Sequence, residues 1–264
     1  MADATQQVHI ILVHGICHGA WCWYKLQPLL EAAGHRVTVL DLAASGIDRR
    51  NLEDLHTFVD YSQPLLDLMA SIPQEEKVLL VGHSLGGMNL PFAMDMYPEK
   101  IKVAVFLTAL MPDTTNKPSY VAEQLLAGIS SEEWLDTEFK SFGSPEENLT
   151  SLLFGPNYIS TNLYQLSPAE DVALANTLVR PGSLFLPDLE SRNPFSKEGY
   201  GSVKRVFIQC LQDRAIPIKF QRWQISNFPP DQVKEIDTSD HMVMISDPQN
   251  LYQRLLEVIA DYYA

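Results

Sequence analysis

Runs of consecutive apolar residues alternate along this chain with segments of helical period. Val8-His9-Ile10-Ile11-Leu12-Val13 is a nearly unbroken β-branched run, as a strand covered on both faces requires. Arg36–Asp41, Lys77–Val81 and Lys102–Leu107 repeat the pattern. Between them, Trp21–Ala33 (stopped by Gly34), Phe58–Ser71 and a segment ending near Tyr97 before Pro98 have amphipathic or buried helical spacing. Strand-then-helix alternation predicts a mostly parallel, doubly wound α/β sheet, because parallel neighbours need helical crossovers. The rhythm breaks from Pro112 to Gly201, where the helical fragments Tyr120–Gly128, Glu132–Phe139 and Ala169–Leu178 are divided by Gly and Pro and no buried strand is evident. That stretch, 112–201, reads as a helical cap inserted into a single domain spanning 1–264. Alternation resumes with Val203–Ile208 and Gln232–Ile236, and Pro248–Tyr263 closes as a helix.

Chemistry enters at Gly82-His83-Ser84-Leu85-Gly86, a G-x-S-x-G pentapeptide directly after the Lys77–Val81 run and directly before a helical pattern. A strand, a turn too tight for flanking side chains and a helix N-terminus together lift a serine hydroxyl above a sheet edge, the nucleophile elbow of the α/β-hydrolase fold. A serine needs a base to attack. In the chain order nucleophile, acid, base, Asp213 follows the Val203–Ile208 strand and His241 follows the Gln232–Ile236 strand. Asp237 and Asp240 compete for the acid role by nearness to His241, but neither follows the strand that supplies it, and side chains of adjacent residues such as Asp240 and His241 tend to diverge. Of the seven histidines, His83 is built into the elbow and reads as a packing or hydrogen-bonding group, and His18 reads as pocket wall. The Leu85 N–H, following the nucleophile, and the Ile16 N–H, in the His14-Gly15-Ile16 exit from the first strand, are the expected oxyanion donors. A plain strand-exit turn is the duller account of His14-Gly15.

The remaining composition mostly excludes. A formal net charge of -14 disfavours nucleic acid and anionic membrane as partners. No apolar run approaches the ~20 residues of a membrane span, and the polar opening Met1–Gln7 lacks the basic start of a secretory leader. Cys17, Cys22 and Cys210 are too few and too scattered for a zinc site and read as buried free thiols of a reducing, cytoplasmic setting. The Asn148-Leu149-Thr150 sequon is then inert. There is no H-E-x-x-H, no G-x-G-x-x-G and no P-loop, so neither metal nor nucleotide cofactor is expected. Aromatic and apolar cap residues (Tyr120, Leu125, Trp134, Phe139, Phe154, Tyr158, Tyr164, Phe185) supply candidates for an apolar substrate chamber.

With these residues assembled, the chain resembles the plant methylesterase group of α/β-hydrolases, which includes salicylate methylesterases, polyneuridine aldehyde esterases and hydroxynitrile lyases. The resemblance runs nearly end to end. It rests on His14-Gly15-x-Cys17-His18-Gly19-Ala20-Trp21, Asp41-Leu42-Ala43-Ala44-Ser45-Gly46, Gly82 to Met88, Val179-Arg180-Pro181-Gly182-Ser183-Leu184-Phe185, Gly201 to Arg205 and Asp240-His241-Met242. It implies hydrolysis of the methyl ester of a small apolar acid through Ser84, Asp213 and His241. Gly15, His18, Leu110, Leu125, Trp134 and Met242 are the expected substrate contacts, Trp134 standing where the salicylate enzymes carry a pocket tryptophan. The lyases typically have threonine at Gly15, glutamate at His83, cysteine at Leu85 and lysine at Met242, and Met242 offers no charge to departing cyanide; the reading is esterase, with a cyanohydrin lyase or a hydrolase-shell receptor as alternatives. The salicylate enzymes commonly carry alanine at Ile16 and an aromatic residue at Leu125. The acyl pocket is therefore reshaped, and jasmonate, indole acetate and alkaloid esters stand beside salicylate as candidates. A homodimer is expected by analogy only.

Overall fold

The structure, a computed structural model, describes residues 7–263. The expectation drawn from the polar opening falls on residues 1–6, outside the described ones. Six parallel strands form the main sheet: β1 (His9–Val13), β2 (Arg36–Leu40), β3 (Val78–His83), β4 (Ile101–Leu107) and, after a long excursion, β8 (Arg205–Cys210) and β9 (Gln232–Ile236), in the order β2-β1-β3-β4-β8-β9. Helices cover both faces: α1 (Gln27–Ala32), α2 (Phe58–Ser71), α3 (Gly86–Met96), α8 (Ile218–Asn227), α9 (Val243–Ser246) and α10 (Pro248–Tyr263). Burial explains the sequence pattern. β1, β3 and β8 are buried at every position, whereas the edge strand β9 alternates, with Ile236 its buried residue. Strand order reverses between β1 and β3, and the carboxyl ends flanking such a reversal are where open α/β sheets place their crevices.

Two segments depart from the sequence reading. The helix expected over Trp21–Ala33 is instead a short 3-10 turn (Ala20–Trp23) followed by α1, with Pro28 in the first turn of α1. A proline lacks the N–H that a continuing helix would need there but suits a helix start. The excursion between β4 and β8 is not purely helical. It carries α4 (Tyr120–Leu126), α5 (Pro156–Tyr158), α6 (Ala169–Leu178) and α7 (Leu186–Ser191), and also an antiparallel sheet of β5 (Glu138–Phe142), β6 (Leu149–Leu153) and β7 (Gly182–Ser183). The helix expected over Glu132–Phe139 is a single 3-10 turn (Ser131–Trp134), closed by a Ser130–Glu133 capping box and ended by Leu135 at φ 51°, after which β5 begins. β5 is almost wholly exposed, so pairing to β6 holds it as a strand and no buried run marks it.

The elbow depends on close approach. Ser84 sits at φ 56°, a left-handed conformation that costs a non-glycine residue about 1–3 kcal/mol. The flanking glycines carry no positive φ; they supply room. A Cβ on Gly86 would lie 2.6 Å from the His14 carbonyl oxygen, and one on Gly82 2.7 Å from the Gly86 carbonyl oxygen. Since backbone is what a Gly86 side chain would meet, Gly86→Ala is expected to destabilise the fold by about 1–3 kcal/mol through overpacking, read as a lower urea midpoint at unchanged slope; an unchanged midpoint would refute the close-packing argument.

Candidate active site

Four loops meet at the carboxyl end of the sheet: Gly15–Gly19 after β1, Ser84 after β3, and the segments after β8 and β9 carrying Asp213 and His241. Ser84 is fixed by its backbone. Its N–H donates to the Leu107 carbonyl at 3.4 Å, and its carbonyl accepts from the Gly87 and Leu110 N–H groups, both at 3.1 Å. Of the three candidate acids, Asp213 is the one bonded to His241, whose Nδ1 donates to Asp213 Oδ2 at 2.7 Å. The same Oδ2 accepts from the Thr108 hydroxyl, while Oδ1 accepts from the Ala215 and Ile216 N–H groups at 2.8 and 2.9 Å. Four donors therefore hold a fully buried carboxylate in one orientation. Thr108 was missed in the sequence. Its signal was a lone hydroxyl at the end of the apolar β4 run.

Asp240 does something else. Its Oδ2 accepts from the Leu166 N–H at 2.9 Å and the Ser167 hydroxyl at 3.1 Å, and its Oδ1 from the Met242 N–H at 2.9 Å. Burial raises its pKa above the ordinary aspartate value. Nearby, Gln165 Nε2 donates to the Gln212 carbonyl at 2.7 Å and Arg214 Nη1 to the Thr161 carbonyl at 3.2 Å. Residues 161–167 thus clasp both loops that bear the acid and the imidazole.

Three further histidines order the loops. His83 Nε2 donates to the His241 carbonyl at 2.8 Å, with the two rings 4.6 Å apart. Burial, with the neighbouring imidazoles adding to it, holds His83 neutral, so its one proton sits on Nε2 and its Nδ1 stays unpartnered beside Gly15. His14 Nδ1 donates to the Gly15 carbonyl at 2.7 Å, and its Nε2 accepts from the Leu42 N–H at 3.0 Å. His18 Nδ1 donates to the Ile16 carbonyl at 2.9 Å and its Nε2 accepts from the Tyr164 hydroxyl at 2.8 Å, while burial lowers its pKa to about 3.

An apolar cavity of about 60 Å³ lies over Ser84, lined also by Ile16, Leu85, Leu110, Leu125, Trp134 and His241, all singled out in the sequence. Phe154 and Tyr158 of the aromatic candidates join them, as does Leu184 of the Val179–Phe185 run, together with Leu126, Ile129, Leu152, Leu163, Ala215 and Ile216, which carried no sequence signal beyond being apolar. Gly15 abuts Ser84 so closely that a Cβ there would lie 2.8 Å from Ser84 Cβ. Of the six expected substrate contacts, Gly15 thus stands beside the nucleophile without being part of the cavity lining, and two lie elsewhere. His18 is sandwiched between Trp21 and Tyr164 with both nitrogens engaged, and Met242 is fully buried at the start of α9; neither lines the cavity. Tyr120, Phe139, Tyr164 and Phe185 also stay out of it. Neither the Ile16 nor the Leu85 N–H has a protein acceptor among the described residues. Among those residues there is also no His/Cys/Asp/Glu cluster fit to hold a metal ion, and no helix is long and apolar enough to cross a membrane.

Comparison with known proteins adds to this geometry. Residues 8–248 match the family model of the alpha/beta hydrolase fold. The chain is 56% identical over 254 residues to salicylic acid-binding protein 2 of Nicotiana tabacum, covering 96% of this chain and 98% of that one. It is 53% identical over 259 residues to methylesterase 1 of Arabidopsis thaliana, covering 98% of each. The crystal structure of polyneuridine aldehyde esterase superposes with a TM-score of 0.94 at 49% identity, over 96% of this chain and 99% of that one.

The buried neutral histidines make stability depend on pH. When unfolded, His14, His18 and His83 take up protons near their ordinary 6.5, whereas in the fold they resist, His18 down to about 3. Below about pH 6.5 the unfolded chain binds more protons than the folded one. Stability is therefore expected to fall as pH drops through that value, giving a lower urea midpoint at about pH 5 than at about pH 7.5. Equal midpoints would mean that the folded chain accommodates the charged imidazoles.

Proposed function

We propose that this chain, which belongs to the plant methylesterase family of α/β-hydrolases, is a serine carboxylesterase that hydrolyses the methyl ester of a small apolar plant metabolite. The observation that carries the reading is a shared cavity: Ser84 and His241 line one apolar chamber, and the nitrogen of His241 turned away from catalysis is tied to a four-donor Asp213. His241 Nε2 takes the Ser84 proton as Oγ attacks the ester carbonyl, and returns it to the departing methanol. Asp213 fixes the tautomer and stabilises the transient imidazolium. The Ile16 and Leu85 amides receive the tetrahedral oxyanion, each such donor contributing on the order of 2.7–4 kcal/mol to the transition state. Water, activated by the same imidazole, then releases the acid from Ser84. Leu110, Leu125 and Trp134 pack against the reacting ester and the near end of the acyl group, and Gly15 keeps the approach to Ser84 clear. The 112–201 segment serves as the cap of one hydrolase domain.

No cofactor takes part in this chemistry. A cytoplasmic setting is supported by Cys17, Cys22 and Cys210, all free and buried, the Cys17 thiol pushed up to about 12 by burial. The substrate is the small-molecule partner; membrane and nucleic acid are set aside on the net charge of -14. The homodimer, expected by analogy only, is part of the proposal, to be read by light scattering.

The lyase alternative is weakened at the chamber itself, since no lysine or arginine lines it to neutralise cyanide. Methanol release from a panel of methyl esters (salicylate, jasmonate, indole acetate, a β-formyl alkaloid ester) is expected in wild type, and Ser84→Ala should reduce it by about 10⁶-fold, to background. Serine-independent release, or benzaldehyde from mandelonitrile with silence on every ester, would overturn the esterase reading. Tight ligand binding by wild type without turnover would favour the receptor.

A further inference from the structure

The chamber over Ser84 is too small for the reaction just described unless part of the substrate lies outside it. At about 60 Å³ it is far below the ~300–1,000 Å³ of ordinary ligand pockets. It surrounds the reacting ester at Ser84 and leaves little space of its own for a larger acyl body. Beside it lies a cavity of about 640 Å³, and four residues, Leu125, Ile129, Tyr158 and Ala215, line both. These side chains are the partition, so the larger cavity is continuous in its walls with the one that holds the nucleophile.

The geometry points to this outer cavity as the acyl-body subsite, and hence to methyl esters of uncharged acids larger than a single ring as the preferred substrates. The inference rests on the esterase reading above and narrows its substrate class. The outer cavity lies between the β4–β8 excursion and the sheet domain. Its apolar surface comes from Leu135 on one side and from Phe220 and Trp223 of α8 on the other. The two rings lie 5.1 Å apart, a broad aromatic wall against which a flat body can lie. The rim carries both signs, Glu132 and Glu133 with Arg214 and Lys219, which favours neither anion nor cation, while Gln124 and Asn162 can serve hydroxyl or carbonyl substituents. A second cavity of about 570 Å³ meets the chamber through Leu126, Leu152 and Leu184, but its only charged groups are the carboxylates Glu123 and Glu190, and Asn148, Thr150 and Ser183 make it more polar. The ester carbonyl stays at Ser84 and the body passes the partition.

Gly128 allows a selective test. It lines the outer cavity alone, and a Cβ there would meet nothing nearer than the Leu125 carbonyl oxygen at 3.4 Å. Gly128→Trp should obstruct the cavity with the fold intact, Gly128→Ala serving as control. Gln124→Trp, from the exposed face of α4, obstructs it independently. Two probes separate the subsites: methyl acetate, which has no acyl body to reach the outer cavity, and the methyl ester of pyrenebutyric acid. Either tryptophan variant is expected to raise KM for the pyrene ester by about tenfold or more, leaving kcat/KM for methyl acetate within about twofold. Equal loss on both esters, or no loss on either, overturns the subsite. So does selective loss in Glu190→Trp, which would place the body in the second cavity. If wild type hydrolyses neither ester, the esterase reading fails while this inference stays decidable through pyrene fluorescence titration of Ser84→Ala. Affinity about tenfold weaker on adding Gly128→Trp supports the subsite, and unchanged affinity overturns it.

Discussion

Everything at the carboxyl end of the sheet hangs on how closely three pieces of backbone approach at the elbow. Ser84 is driven to φ 56° and held there by bonds to Leu107 and Leu110 at the end of β4. Gly86 lets the start of α3 press on the exit of β1, and Gly15 lets that exit pass beside Ser84 itself. The unfavourable serine conformation persists because central strands buried on both faces leave the turn no alternative path. One crowded contact thereby sets where the hydroxyl points and where the amides of Ile16 and Leu85 lie.

A second layer of order comes from imidazoles that burial pushes toward the neutral form. His14 ties the β1 exit to the β2 exit, His18 ties it to Tyr164 of the excursion, and His83 ties the elbow to the backbone of His241. Each is buried, and in each the partner atoms decide which nitrogen bears the proton. A neutral imidazole is a rigid part with one donor and one acceptor on opposite sides, well suited to bridging two loops where water is excluded. His241 differs in having a carboxylate on its Nδ1 side, the contact on which its proposed role as the base rests.

The main sheet was legible because strands buried on both faces must be written in β-branched and leucine runs, and β1, β3, β4 and β8 were. The elbow was legible because crowding there requires glycine. Asp213 was legible from its place after β8, where chain order and topology agree. What escaped was fixed by pairing and not by burial. The exposed β5 has no core-facing register to betray it, and Leu135 gives no residue-type hint of its left-handed turn. Thr108 was hidden because one hydroxyl at a strand end is common. His18 and Met242 were expected at the substrate from sequence nearness to the site, but a side chain's direction depends on partners, here Tyr164 and the start of α9, that only the fold assembles.

The grip of residues 161–167 on the sheet domain bears on how far the covering layer can move. Gln165, Leu166 and Ser167 hold the backbone beside Asp213 and the carboxylate beside His241. Along that edge the covering layer cannot lift without dragging the base away from its acid. A door hinged there would disarm the enzyme each time it opened. The clasp therefore keeps the loops of Asp213 and His241 in register with each other, on the fixed jamb of the molecule.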